Sequence, residues 1–287
     1  MTTPSIQWYP GHIAKAEKAL KEQLKLVDVV LEVRDARIPL ATHHPQVREW
    51  VGNKTRVLVL NRLDMILPQA QRMWTQWFRE QGEEPYFTNA QKGEGVIAIA
   101  KAAQAAGVAV NQRRRDRGML PRPVRAVVIG FPNVGKSALI NRLLKRKVVE
   151  SAARPGVTRQ LRWVRISDQL ELLDAPGVIP AKLNDQEAAF KLAICDDIGD
   201  ASYDNQRVAA TLVDIVKSLS ATAPELFPED PLNRYKLDSA LFTGEAYIYT
   251  LAHQRYQGDV ERTARLILTD FRKGALGAIS LELPPDY

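Results

Sequence analysis

Cysteine is almost missing: Cys195 stands alone among 287 residues. One thiol cannot close an intrachain disulfide or build a cysteine-rich zinc site, so a reduced, cytoplasmic compartment is the expectation. Histidine is scarce as well, four in all, and apart from the pair His43–His44 the histidines are scattered in no metal-ligand spacing. No apolar run approaches the ~20 residues that span a bilayer, which argues against membrane insertion. The opening MTTPSIQWYPGH lacks the charged-then-apolar plan of a signal peptide. Neither an internal repeat nor a low-complexity tract is visible. What remains is an ordinary globular composition, 45% hydrophobic and 25% charged, enough for one large domain or two smaller ones.

Charge is unevenly laid out. Residues 1–179 carry +13 and residues 180–287 carry −6, within a net +7. A basic first part suggests an anionic partner, usually nucleic acid. A solvated surface without a partner is the plainer alternative. Residues 111–125, NQRRRDRGMLPRPVR, concentrate six arginines and two prolines without apolar periodicity, and read as a linker. There Arg113, Arg114, Arg115 and Arg117 are either merely solvated or neutralise RNA phosphates, which would make binding steeply salt-dependent.

The apolar pattern alternates between strand and helix. Ile13, Leu20, Leu24 and Val27 suggest a helical stripe, and VDVVLEV and RVLVL are continuous β-branched runs of buried parallel strands. MWTQWFREQG reads as a helix closed by Gly82, PYF as a short strand, and VIAIAKAAQAAG as a further helix. AVVIG, RWVRI and LELLD supply three more strands. The expected architecture is α/β, a doubly wound and mostly parallel sheet over residues 1–186. A smaller all-α domain over 187–287 follows. Its clearest helix is GDVERTARLILTDFRKG, with Asp259 as N-cap, Val260, Ala264, Ile267 and Phe271 as stripe, and Gly274 as stop.

Gly130 to Ser137, GFPNVGKS, fits the G-x-x-x-x-G-K-S phosphate loop, with a strand before it and a helix after it. The glycines let backbone N–H groups turn toward phosphate oxygens, and the next helix adds its dipole. Gly130, Pro132, Asn133, Val134, Gly135, Lys136, Ser137 and Ala138 form this cradle. Lys136 is the residue for the β- and γ-phosphates and Ser137 for Mg²⁺. Asp174, ending LELLDAPG, fits an outer Mg²⁺ contact, Gly177 can offer its N–H to the γ-phosphate, and Thr158 of ARPGVTRQ completes the metal shell from a mobile loop.

Base choice rests on LVLNRLDM, residues 58–65. Guanine presents two adjacent donors, which one carboxylate, Asp64, can accept together, while Asn61 braces the loop. A site built on such a paired contact rejects the wrong base by roughly 10⁴-fold or more. In TNAQKGEG, alignment on Gly93 and Gly95 places Asn89, Ala90 and Gln91 where an alanine N–H would meet guanine O6. Both base loops precede the phosphate loop, the reverse of the ordinary order. This order, with WYPGHIAKA, DARIP, GFPNVGKSALIN and the C-terminal NRYKLD and GDVERTARLILTDFRKGALG, closely resembles the ribosome biogenesis GTPase A (YlqF type) family of circularly permuted GTPases over nearly the whole chain.

The resemblance implies a P-loop GTPase with GTP and GDP as substrate and product and Mg²⁺ as cofactor. It implies late assembly of the large ribosomal subunit, with ribosomal RNA and ribosomal proteins as partners, a cytoplasmic location and a monomeric state. Val178 stands where a Ras-like glutamine would be, so the attacking water needs another director. The resemblance offers Asn133, which in related GTPases helps hold K⁺ near the β–γ bridge, and His12, either catalytic or an RNA contact. Arg62 replaces the family's lysine and can lie along the nucleotide ring. A nucleotide-gated placeholder on RNA with little hydrolysis stays open. So does a permuted GTPase of the small subunit, although the single cysteine and the lack of a leading β domain speak against it.

Overall fold

The computed structural model describes residues 18–144, 162–174, 185–199 and 203–285. These fall into two compact units. One comprises the described residues of Tyr9–Leu63 and Thr75–Ala181, the other those of Lys182–Tyr287 together with Asp64–Trp74.

The first unit is built on six strands: β1 (Val29–Asp35), β2 (Thr55–Asn61), β3 (Pro85–Thr88), β4 (Val124–Ile129), β5 (Arg162–Ser167) and β6 (Leu170–Asp174). They lie in the order β3-β2-β1-β4-β6-β5, parallel throughout except for the edge hairpin β5–β6. β1 is buried at all seven positions: its valines and leucine predict this, while Glu32, Arg34 and Asp35 are buried with them. Counted from β4 onward and back round to β3, the strands stand in the order 6-5-4-1-3-2. That is one continuous doubly wound sheet whose two chain halves have exchanged places.

Register shows which side chains share a face. Val30 pairs with Val127, and Val127 with Leu173. These join Ile129 in a cluster with Leu20 and Leu24 of the helical residues 18–24 (α1), and with Val47, Trp50 and Val51 of α2 (Val47–Val51). Val27, expected in the first helical stripe, is buried in the same cluster but lies past that helix.

The opposite face carries Val124, against which α4 (Val96–Asp116) packs at Gly107, so closely that a Cβ there would stand 1.7 Å from Val124 Cγ2. Its buried residues, Val96, Ile99, Ala103 and Gly107, make one stripe. That stripe ends nine residues before the helix does. The last turns project past their apolar support, which is why residues 111–116 look like a linker and yet are helical: Arg and Gln are good helix formers and need no buried face.

Among the described residues, the second unit contains no strand. It holds the first residues of α3 (Pro68–Glu80) and, after them, α6 (Gln186–Ile194), α7 (Asn205–Thr222), α8 (Gly244–Arg255) and α9 (Val260–Arg272). Asp259 caps α9 through a 2.9 Å bond from Arg262 N–H, and Gly274 (φ 73°) ends it. Met65 belongs to this unit, its sulfur beside Gly274. Arg272 fastens α9 to the end of α6 by donating to Ile194 O at 3.0 Å and Ala193 O at 2.8 Å.

Candidate nucleotide site

Pairing brings the strand ends level. Asp35 stands opposite Asn61, Asn61 opposite Thr88, and Val128 opposite Asp174. The phosphate-loop residues, the base loops and the DARIP turn therefore leave the sheet at one edge. Connections also diverge there, since β1 leads to β2 on one side and β4 to the β5–β6 hairpin on the other. A crevice at such a switch point is where doubly wound sheets bind ligands.

The loop from Gly130 to Gly135 owes its shape to two glycines. Gly130 (φ 149°) passes so close to β1 that a Cβ would sit 2.2 Å from Val33 O. Gly135 (φ 98°) would place one 2.0 Å from Asn61 Nδ2. Asn133 takes the left-handed conformation at φ 56°, which asparagine tolerates better than most residues. Phe131 and Val134 are fully buried, and His44, tilted 38° against Trp50 with ring centres 4.2 Å apart, lies 6.4 Å from the Phe131 ring.

Helix α5 (Lys136–Leu143) then begins with no side-chain cap, so its first-turn N–H groups, from Lys136, Ser137 and Ala138, meet no capping side chain. Uncapped amides at a helix start suit an anion. Lys136 Nζ donates to Gly130 O at 3.2 Å and Phe131 O at 2.6 Å. A phosphate reaching it would replace those carbonyls with stronger, charge-assisted partners.

Asn61 ties the loops together. Its Nδ2 donates to Val134 O at 2.8 Å and its Oδ1 accepts from Ala90 N–H at 3.0 Å. One buried amide thus spans β2, the phosphate loop and the Ala90 loop. The Ala90 N–H, the candidate donor to guanine O6, here donates to Asn61. Arg142 of α5 holds the same loop from the other side, donating to Ala90 O and to Gln91 O. Asn89 braces it internally, its Oδ1 accepting from Lys92 N–H at 3.1 Å. Arg62 (φ 65°) does not lie free along a ring plane: Nη2 donates to Asn133 O at 3.1 Å and Nε stands 3.2 Å from Asp35 Oδ2. Asp64 lies in the 3₁₀ turn Leu63–Met65 and itself groups with the second unit.

Sequence reading missed the charged layer beneath these loops. Asp35 and Arg37, both fully buried, pair through Arg37 Nη2 at 2.6 Å and Nε at 3.0 Å. Burial alone would raise the Asp35 carboxyl; the charge and hydrogen bonds of Arg37, with help from Arg62, outweigh it and hold the group below its ordinary range. Three residues back, burial likewise pushes Glu32 upward, but Arg34's charge and hydrogen bonds from His43 and Arg34 bring it far below the usual carboxylate range. The signal was present in DARIP and in the alternating charges of LEVRD, but a charge inside an apolar strand run does not announce its partner.

His12, Thr158 and Gly177 lie outside the described residues. Asp174 closes β6, next to β4. No cluster of three or more metal-ligating side chains occurs among the described residues. Ser137 lies in the first turn of α5, and Asp174 is the last residue of β6.

Residues 125–226 match the family model described as 50S ribosome-binding GTPase. Along its length the chain is similar to ribosome biogenesis GTPase A of Bacillus cereus, 34% identical over 98% of this chain and 95% of the relative. The chain belongs to the ribosome biogenesis GTPase A family. The same protein of Priestia megaterium is also 34% identical, with 98% of each chain covered. The GNP-bound YlqF structure from T. maritima superimposes with a TM-score of 0.64 at 24% identity over 95% of this chain and all of that one, which supports the fold. Family membership makes GTP and GDP the nucleotides of this protein. No described helix is long and apolar enough to cross a membrane.

Proposed function

We propose that this ribosome biogenesis GTPase binds and hydrolyses GTP at the Gly130–Ser137 loop and acts in late maturation of the large ribosomal subunit. The observation that carries the nucleotide part is Asn61, whose amide joins the phosphate loop to the Ala90 loop. A base loop and a phosphate loop far apart in the chain share one buried side chain, as a guanine nucleotide spanning both would require. The subunit assignment draws on the description of the matched family, 50S ribosome-binding.

In this reading Lys136 takes the β- and γ-phosphates and the amides of Val134 to Ala138 line the phosphate chain. Ser137, Thr158 and Asp174 hold Mg²⁺, which neutralises phosphate charge when bound. Asp64 accepts both donors of guanine, Asn61 approaches N7 and O6, and Ala90 N–H exchanges its Asn61 partner for O6. Arg62 positions the phosphate loop through Asn133 O. Gly177 contacts the γ-phosphate and Asn133 places K⁺. His12 either directs water or contacts RNA. The protein works in the cytoplasm on ribosomal RNA, and particles stimulate turnover.

Sedimentation of the protein with purified ribosomal subunits in GDP and in a non-hydrolysable GTP analogue tests this. Nucleotide-dependent association with the large subunit is expected. Association with the small subunit alone, or none in either nucleotide, would overturn it. Turnover in KCl against NaCl separates the Asn133 role.

A further inference from the structure

The arginine-rich segment sits at the other edge of the sheet, by the amino ends of β1 and β2, and the GTPase site gives it no task. It is a built element. Past α4 the chain turns back through Gly118 (φ 70°), with the N–H groups of Arg117 and Met119 on Arg114 O at 3.1 and 2.9 Å. Asn111 clasps the return, donating to Arg122 O at 3.0 Å and accepting from Arg122 N–H at 3.1 Å. Arg122 in turn grips Asp28 with both terminal nitrogens, at 2.7 and 2.9 Å. Between this turn and the strand starts lies a cavity of about 380 Å³. Its charged lining is Lys54, Arg113, Arg114, Arg117 and Arg122, with Asp28 as the single carboxylate.

Cations near a helix C-terminus are favourable in themselves. That accounts for charge in the last turn of α4. It does not account for Lys54, which reaches the same space from the loop before β2. The one carboxylate there, Asp28, is already taken up by Arg122, so the remaining like charges repel unless a further anion joins them. We propose that this cavity is a second anion site of the GTPase unit and that it takes the phosphodiester backbone of RNA. Guanidinium forks match phosphate oxygens in pairs. The volume suits a few backbone phosphates. Beside them Leu120 (84% exposed) and Met119 (39%) offer apolar surface to riboses or base faces. The choice of RNA over a free polyphosphate rests on the ribosomal reading above; the anion site does not. Strands of seven residues hold the cavity about 20 Å from the nucleotide loops, so this contact is a tether that works in either nucleotide state.

The test is binding of the full-length protein to a mixed-sequence single-stranded RNA oligonucleotide by fluorescence anisotropy over a range of KCl. Releasing two phosphates lowers the slope of log K against log salt by about 1.4, which is the change expected for R113A/R117A, with GDP affinity unchanged. R113K/R117K should keep the wild-type slope, and R115A, on the same helical turn but outside the cavity, should barely move it. An unchanged slope in R113A/R117A overturns the proposal, as does an R115A effect as large as that of a cavity arginine. Inorganic triphosphate displacing the RNA at equal phosphate concentration would assign the cavity to a small anion instead. Lost binding to phosphatidylglycerol vesicles with intact RNA binding would also overturn it. Subunit sedimentation reads the ribosomal role separately: its failure with wild-type protein leaves the oligonucleotide slope as it is.

Discussion

Gly135→Ala adds one methyl group to the centre of the nucleotide site, and its cost follows from two independent terms. At φ 98° an alanine is held where L-residues are strained, about 1–3 kcal/mol. Its Cβ would also stand 2.0 Å from Asn61 Nδ2, so Asn61 must leave Val134 O. Losing that buried bond costs about 1 kcal/mol, and more if the carbonyl stays unpaired. Together the change costs about 2–4 kcal/mol. The loop either keeps its shape and destabilises the fold, or relaxes and binds nucleotide poorly, so the loss divides between two measurements. Denaturant unfolding reads the first and titration with labelled GDP the second; their sum is the predicted quantity. If all of it falls on binding, GDP affinity drops roughly 30- to 1,000-fold. A double-mutant cycle isolates the clash. In an Asn61→Ala background only the φ strain remains, so the two substitutions should couple by about 1 kcal/mol or more. Additivity within about 0.5 kcal/mol, or a Gly135→Ala protein matching wild type in both assays, would refute the reasoning.

Three further expectations rest on separate contacts. Asp35→Asn strips the charge that Arg37 and Arg62 share inside the fold; breaking a buried pair costs about 3–5 kcal/mol in denaturant unfolding, and a loss under about 1 kcal/mol would contradict the pairing. Glu32 is held below its ordinary 4.5, so its contribution is present above that pH and is lost as pH falls toward the folded value. The gap in melting temperature between wild type and Glu32→Gln should therefore be widest near neutrality and narrow below pH 4.5; a constant gap would be the wrong result. Arg142→Ala frees the Ala90 loop from α5, and GDP affinity should fall about 5- to 10-fold with less preference over ADP, while an unchanged GDP/ADP ratio would remove Arg142 from base selection.

Strong local rules made much of this legible in advance. The strands announced themselves as short apolar runs, β-branched in β1 and β2, the Gly130–Ser137 pattern named its own conformation, and Asp259 and Gly274 marked the ends of α9 because capping chemistry is local. What sequence did not disclose was pairing across distance. Nothing in LVLNRLDM says that Asn61 reaches Val134, 73 residues on, or that Arg62 answers to Asp35. The arginine-rich stretch misled for a physical reason: a helix that has run past its sheet loses its apolar period while keeping its backbone, so periodicity ends before the helix does.

Chain order has a cost during synthesis. β1 is a central strand, paired with β2 on one side and β4 on the other. Its first partner is made within moments, but roughly ninety residues separate it from β4, or roughly 5–20 s at ribosomal speed. Through that interval VVLEVRD offers a bare, apolar strand edge to any passing chain, the kind of surface that templates aggregation. In the unpermuted order the phosphate-loop strand comes out first and waits for its neighbours; here the base-reading half must wait, half-assembled, for the strand that closes the sheet.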